Sequence, residues 1–125
     1  MDENQLGEIV LGCALRVHRA LGPGLLENIY ETCLAHELQK AGLAAKRQVP
    51  MPVTYDGLTL EAGYRLDLVI EDRVIVEVKA VERLIEVHRA QLLSYLRLGG
   101  FRLGYLLNFS VPRLTDGIVR LANGL

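Results

Sequence analysis

The chain of 125 residues has no tryptophan, only two cysteines, and no excess of charge of either sign. Its 14 basic and 15 acidic residues give a formal net charge of −1 and a pI near 6.3, which argues against a protein that coats nucleic acid or an anionic membrane through bulk charge. Any phosphate partner must therefore be bound by a local group of side chains. No apolar run approaches the ~18 residues that span a bilayer, so we expect no membrane association.

The N-terminus and the cysteines indicate a cytoplasmic protein. The first ten residues, MDENQLGEIV, have no basic region followed by an apolar core, so no signal peptide is predicted. Cys13 and Cys33 lie at apolar positions of two predicted helices, and we interpret both as small buried residues rather than metal ligands or disulfide partners. His18, His36 and His88 form no HxH or HxxxH pair, which argues against a zinc site.

Hydrophobic periodicity predicts helices and strands in the order α-α-β-β-β-α-β, followed by a tail. Apolar residues at helical spacing predict a first helix from about residue 4 to 21, a second from Leu25 to Ala41 and a third from about Glu82 to Leu98. Leu26 is expected on the buried side of the second helix and Val87 on that of the third. Extended patterns predict strands at KRQVPMPVTY, LTLEAGYRLDLVI, VIVEVK and FRLGYLLNF, whereas the tail SVPRLTDGIVRLANGL fits either a last strand or a short helix. Without repeats or linkers, this order indicates one α/β or α+β domain over residues 1–125, with helices packed on a mixed sheet.

Proline and glycine add detail to the predicted sheet. The two prolines of the first strand, Pro50 and Pro52, indicate an edge position, because proline cannot donate to a strand ladder. Asp56-Gly57 predicts a two-residue hairpin between the first two strands. Gly63 predicts a bend or bulge in the second strand.

The third strand, within RVIVEVKAV, is rich in valine but carries two opposite charges. Side chains alternate between the faces of a strand, so Glu77 and Lys79 share one face with Ile75. Val74, Val76 and Val78 occupy the other face. Two ionised groups in a strand suited to the interior therefore need an explanation.

The turn before this strand decides what faces Glu77. On the second strand, Asp67 shares a face with Arg65 and Val69, whereas Leu66, Leu68 and Ile70 lie on the other face. A three-residue turn at residues 71–73 places Ile70 opposite Val74 and Asp67 opposite Glu77; a two-residue turn separates the carboxylates onto opposite faces. We favour the three-residue turn, because it sets the valine face of one strand beside the leucine face of the other.

In that register Asp67 and Glu77 have Cβ atoms roughly 5 Å apart, and like charges so close destabilise a fold. A divalent cation resolves the conflict, and oxygen ligands suit magnesium or manganese. Lys79 adds a positive charge within reach of the two carboxylates, so the three side chains are the minimal set of groups for metal-dependent phosphodiester hydrolysis. The alternative that remains open is a structural salt bridge, in which Lys79 neutralises Glu77 or Asp67.

Two helical segments extend this pattern into a family resemblance. GLLENIY contains Gly24, Glu27 and Tyr30, and AQLLSYL contains Gln91 and Tyr95. Together with LDLVIEDRVIVEVKA between them, the chain resembles the GxxExxY family of the PD-(D/E)XK nuclease-like superfamily. The resemblance runs from the first helix through the DG at residues 116–117 and implies an α/β fold with a restriction-endonuclease-like core, a mixed β-sheet flanked by helices.

The resemblance implies a role for each acidic residue. Asp67 and Glu77 would bind the metal, Lys79 would be the catalytic lysine, and Glu27 would be the acid that a helix adds to the metal site. The strict PD pair is not kept, since Leu66 precedes Asp67. Glu27 is also explained as a first-turn acid that complements its helix dipole.

The resemblance further matches Gln91 and Tyr95 to a Q-x-x-x-Y element that borders the active site and positions substrate or Lys79. Each has a simpler alternative, since Tyr95 fits an amphipathic core aromatic and Gln91 a solvated side chain. Tyr30 fits either a packing role or a contact with substrate.

The sequence thus predicts a metal-dependent nuclease that hydrolyses DNA or RNA with Mg²⁺ or Mn²⁺. The alternative is a catalytically inert binding or interaction module with the nuclease fold, either with or without the metal. Basic side chains on the third helix, at His88, Arg83, Arg89 and Arg97, fit either a patch that steers phosphate or a solvated face. The mean hydropathy of +0.22 also leaves a homo-oligomer open.

Overall fold

The computed structural model describes residues 1–125, with the side chain of Ala62 left out of the description. Over that chain the elements are α1 (Glu3–Leu21), α2 (Glu27–Lys40), β1 (Ala45–Tyr55), β2 (Leu58–Ile70), β3 (Val74–Lys79), α3 (Glu86–Gly99), β4 (Leu103–Asn108), a 3-10 helix (Leu114–Gly117) and β5 (Ile118–Ala122). The predicted element order is confirmed, and the tail contains both alternatives that the sequence allowed, a short helix and then a strand.

The five strands form one mixed sheet in the order β1-β2-β3-β4-β5. β3 and β4 are parallel, joined through α3, and the other neighbours are antiparallel. β1 lies at an edge, as its prolines predicted. The predicted fold class, a mixed sheet flanked by helices with a PD-(D/E)XK core, agrees with this architecture.

Local capping explains where α1 begins and ends. The Asp2 side chain accepts a hydrogen bond of 2.8 Å from the backbone N–H of Gln5, and Gln5 Oε1 accepts one of 2.9 Å from the N–H of Asp2. At the other end Gly22 has a φ of 69°, which favours glycine and stops the helix. The sequence therefore encodes both ends of this helix locally.

Two apolar cores lie on the two faces of the sheet. α1 and α2 cover one face and pack on the valines of β3, Val74, Val76 and Val78. α3 covers the other face, where Leu92 and Leu96 pack with Ile75. Side chains of this kind are each worth roughly 1.5–3 kcal/mol when fully buried, so the faces of β3 hold both helical layers in place.

The predicted hairpin and bulge are both present. Asp56 and Gly57 have φ angles of 48° and 79° and form a two-residue turn closed by the pair Tyr55 and Leu58. The β1–β2 register shifts between Met51 and Val53. A Cβ atom on Gly63 would lie 2.6 Å from Val53 Cγ2, so only glycine fits this close approach.

Four expectations about the helices are corrected. α2 begins at Glu27 rather than Leu25, and Leu26, expected on its buried side, is 72% exposed as the residue before the helix. α3 begins at Glu86 rather than Glu82, and the residue before it, Ile85, is extended. The Asn108 side chain accepts a hydrogen bond of 3.1 Å from the N–H of Val81 and donates one of 2.9 Å to its carbonyl. Val87, expected on the buried face of α3, is 51% exposed.

The cysteines are free, with Cys13 buried as expected and Cys33 partly exposed. Within the described chain, no helix combines the length and apolar character that a membrane crossing needs.

Candidate active site

The register between β2 and β3 is set by the three-residue turn that the sequence favoured. Ile70 pairs with Val74, Val69 with Ile75, and Leu68 with Val76. The backbone pairing stops there, one residue before Asp67 on β2 and Glu77 on β3. The two carboxylates therefore lie where the strands begin to separate.

Side chains replace the backbone ladder at this point. The backbone N–H of Asp67 donates a hydrogen bond of 2.8 Å to Glu77 Oε2. The N–H of Val78 donates one of 2.9 Å to Asp67 Oδ2. Each acid thus accepts a bond from the strand that carries the other, which brings the two carboxyl groups together and satisfies backbone donors that the open strands leave free.

The alternation of β2 breaks beside Asp67, which corrects the predicted faces. Leu66 was expected on the face of Leu68, but it packs in the core under α3, whereas Leu68 packs in the core under α1 and α2. The cause lies on the neighbouring strand, where Gln48 opposite Asp67 has a left-handed φ of 51°. This residue interrupts the pleat between the pairs at Leu66 and Leu68.

Burial and mutual repulsion perturb both acids. The Glu77 side chain is 2% exposed. Burial first, and then the charge of Asp67, raise the pKa of Glu77 to about 8, against smaller opposing effects that include the hydrogen bond from the backbone N–H of Asp67 and the charge of Lys79. Burial also raises the pKa of Asp67, while the N–H of Val78 opposes that rise. The pair is thus a desolvated site with more negative charge than its surroundings neutralise.

Lys79 lies half-buried at the end of β3, and its charge partly opposes the rise in the pKa of both Asp67 and Glu77. Among the ion pairs of the described side chains, none joins Lys79 to either carboxylate. The structural salt bridge that the sequence left open is therefore not formed, and the ammonium group is not tied up by a direct contact with the acids.

Glu27 is the first residue of α2 and approaches the end of β3. Its Oε2 accepts a hydrogen bond of 3.3 Å from the N–H of Ala80, the residue after Lys79. The side chain is exposed, yet it points at the strand end rather than away from the protein. Across the described residues, no three His, Cys, Asp or Glu side chains come close enough together to hold a metal ion, so a three-acid cage is not preformed.

The two residues of the Q-x-x-x-Y element, Gln91 and Tyr95, differ in their surroundings. Tyr95 is buried, and its ring stacks on that of Tyr64 with centroids 4.0 Å apart and an interplanar angle of 21°. Burial first, and then the nearby charge of Glu77, raise the pKa of Tyr64, so the stacked pair of Tyr64 and Tyr95 borders the acid pair. Gln91 is exposed and makes no hydrogen bond among the described residues.

Tyr30 is fully buried, which favours the packing alternative and leaves it out of reach of a substrate. Its hydroxyl donates a hydrogen bond of 2.6 Å to the carbonyl of Gly22 and accepts one of 3.0 Å from the N–H of Leu25. Its ring stacks on Phe109 with centroids 4.6 Å apart. Tyr30 thus anchors the turn that precedes Glu27.

Sequence reasoning missed four residues near the acids: Tyr64, Glu31, Gln48 and Asn108. Glu31 is only 6% exposed, and its carboxylate accepts hydrogen bonds from Arg47 Nε at 3.0 Å and Gln48 Nε2 at 2.8 Å. A signal was present for Glu31, because it follows Glu27 by one helical turn and directly follows the buried Tyr30. The other three carry no local pattern that distinguishes them.

The comparisons with known proteins identify the family. The chain matches the PD-(D/E)XK nuclease superfamily over residues 4–121, and it belongs to that superfamily. No curated protein and no solved structure shows a significant match to it. Membership supports a nuclease-type function that acts on nucleic acid, and such nucleases generally use divalent metals.

Proposed function

We propose that the protein is a metal-dependent nuclease that hydrolyses phosphodiester bonds of DNA or RNA, and that it belongs to the GxxExxY branch of its superfamily. The observation that carries this proposal is the pairing of Asp67 with Glu77, in which each carboxylate accepts a hydrogen bond from the opposite strand. A buried like-charge pair is costly to a fold that has no use for it.

The donor set fits magnesium or manganese. Carboxylate oxygens are the ligands these ions prefer, and Mg²⁺ is usually held by one or two carboxylates together with water and substrate phosphate. Asp67 and Glu77 would supply those two, and Glu27 would join through its position at the end of β3. When bound, the cation polarises the phosphoryl group and makes water a better nucleophile.

The remaining residues act on substrate and charge. Lys79, unpaired with either acid among the described ion pairs, offsets negative charge that develops on the phosphoryl group. Tyr64 lies near enough to Glu77 to feel its charge and is held by the stacked ring of Tyr95. A cavity of about 600 Å³ lined by Pro50, Glu61, Tyr64 and Arg65 opens on this side of the sheet and offers room for a nucleotide. Gln91, exposed on α3, would contact substrate rather than the acids.

Two arginines offer contacts for the phosphate backbone. Arg83 and Arg89 line a cavity of about 280 Å³ whose wall also includes Asn108, the β4 residue that pairs with Lys79. Neither arginine takes part in an ion pair of the described chain, although Glu82 and Asp116 share the wall. Arginine suits bidentate phosphate contacts, so this wall would guide a strand toward Lys79.

The rival function is an inert binding module with the nuclease fold. The observation in its favour is that no three-ligand metal cluster exists among the described side chains. The rival predicts that nucleic acid is bound but not cleaved, and that Lys79→Ala changes nothing beyond binding.

Cleavage assays on single- and double-stranded DNA and RNA, with Mg²⁺, Mn²⁺ or a chelator, test the proposal. We expect cleavage of at least one substrate that the chelator abolishes. Asp67→Asn and Glu77→Gln should each abolish it while the variants remain folded by circular dichroism. A folded wild type that cleaves none of the four substrates with either ion would contradict the proposal and support the inert module.

A further inference from the structure

Gln48 has an unusual backbone conformation directly across from Asp67. It lies in β1 between the pairs Arg47–Leu68 and Val49–Leu66, yet its φ is 51°. Residues other than glycine rarely adopt this left-handed conformation, and inside a strand it also breaks the pleat. Something at this position must therefore outweigh the strain.

The side chain of Gln48 links two carboxylates. Its Nε2 donates to Glu31 Oε1 at 2.8 Å and, in a longer contact, to Asp67 Oδ1 at 3.4 Å. An amide nitrogen carries two hydrogens, so both acceptors are served at once. The left-handed backbone directs the amide into the gap between α2 and β2.

The Glu31 end of this link is held in place by other contacts. Glu31 is 6% exposed, and its second oxygen accepts from Arg47 Nε at 3.0 Å. Arg47 also donates through Nη2 to Thr32 Oγ1 at 2.8 Å, which ties the guanidinium to α2. The near end is fixed too, because Asp67 Oδ2 accepts from the N–H of Val78. Both oxygens of Asp67 are thus directed by neighbours.

We propose that Gln48, anchored by the buried Glu31, is a positioning residue that orients the Asp67 carboxylate for the cation and the substrate phosphate. This inference rests on the proposed nuclease function. The strained backbone of Gln48 then serves to orient Asp67 and not to stabilise the fold. Partners that orient a metal ligand typically contribute 10- to 100-fold to metal affinity or activity.

Two variants separate orientation from stability. Gln48→Ala removes the amide and keeps a side chain in the left-handed conformation, whereas Gln48→Gly removes the amide and relieves the strain. We expect both to weaken Mn²⁺ binding, measured by calorimetry, about 10- to 100-fold. We also expect a matching fall in kcat with little change in KM for nucleic acid, and faster hydrogen exchange of the Val78 amide. Gln48→Gly should melt no lower than the wild type.

Asp56→Gly is the matched control. Asp56 also has a positive φ, of 48°, but lies at the exposed tip of the β1–β2 hairpin. Relief of strain there should leave Mn²⁺ binding, kcat and Val78 exchange unchanged.

The outcomes distinguish this inference from the proposed function. Unchanged Mn²⁺ affinity and unchanged Val78 exchange in both Gln48 variants would overturn the positioning role, even in an active enzyme. A wild type that neither binds Mn²⁺ nor cleaves would overturn the proposed function; Val78 exchange alone would then decide whether Gln48 orients Asp67.

Discussion

The backbone N–H of Asp67 donates to Glu77 Oε2 at 2.8 Å, at the point where β2 and β3 stop pairing. The contact that ends the ladder is therefore the same contact that assembles the acid pair. A substitution at either acid alters strand separation as well as charge, so the experiments below use isosteric changes or residues outside the pair where they can.

Glu77→Gln should stabilise the metal-free protein near pH 8. The pKa of Glu77 is about 8 in the folded state against 4.5 in the unfolded chain. Between these values the unfolded state binds fewer protons, so stability falls as pH rises, and the penalty is absent below about pH 4.5. We expect the variant to melt on the order of 5 °C higher at pH 8 and equally at pH 4.5.

Thermal unfolding with a chelator, followed by circular dichroism at both pH values, measures this effect. Added Mn²⁺ should stabilise the wild type more than Glu77→Gln. Equal melting temperatures of the two proteins at pH 8 would show that the acid pair carries no buried repulsion.

Lys79→Ala should reduce cleavage by at least ~100-fold, because charge stabilisation of this size is typical when one group at a reacting phosphate or oxyanion is removed. Mn²⁺ affinity should not fall, since Lys79 repels a cation. Lys46→Ala is the control, because Lys46 forms only an exposed ion pair with Asp72. Cleavage by Lys79→Ala at the wild-type rate would remove this lysine from the reaction.

The double variant with Arg83→Ala and Arg89→Ala should show a weaker salt dependence of nucleic-acid binding than the wild type. Each phosphate contact contributes about 0.9 to the slope of log K against log salt on duplex DNA, so losing two contacts makes the slope shallower by up to about 1.8. Fluorescence anisotropy across a salt series, with a metal-free protein, measures the slope. Arg19→Ala, on the exposed side of α1, should leave it unchanged. An unaltered slope in the double variant would place the backbone contacts elsewhere.

Tyr30→Phe should destabilise the protein by about 1–3 kcal/mol, because the buried carbonyl of Gly22 and N–H of Leu25 both lose their partner. Tyr55→Phe is the matched control, since Tyr55 is 75% exposed, and should change stability by less than about 0.5 kcal/mol. Urea unfolding measures both. Equal stability of the two variants would mean that the turn before α2 does not depend on this hydroxyl.

The sequence predicts the sheet and the acid pair because local rules determine them. Period-two patterning sets the faces of β3, and the length of the turn at residues 71–73 sets its register with β2. Once Ile70 pairs with Val74, the register directs Asp67 toward Glu77, and side-chain hydrogen bonds complete the contact where the ladder ends. The hairpin at Asp56-Gly57 follows equally from the left-handed conformations that these two residues tolerate.

The residues that the sequence does not reveal depend on contacts between distant segments. Glutamine has no preference for a left-handed φ, so nothing local marks Gln48, and the shift of Leu66 to the other core follows from it. The loop before α3 is held by Asn108, which is 27 residues beyond the Val81 to which it hydrogen-bonds. The position of Glu31 on α2 could be read from the sequence, but its partners could not, because Arg47 and Gln48 come from another element.

The hydroxyl of Tyr30, held between Gly22 and Leu25, gives the spacing of the G-x-x-E-x-x-Y motif a geometric meaning. Successive residues of a helix are offset by about 100°, so one residue inserted between Glu27 and Tyr30 would swing the glutamate a quarter-turn or more around the helix axis, away from Ala80. The buried tyrosine therefore fixes the rotation of α2 about its axis, and this rotation sets the direction in which the acid one turn earlier points.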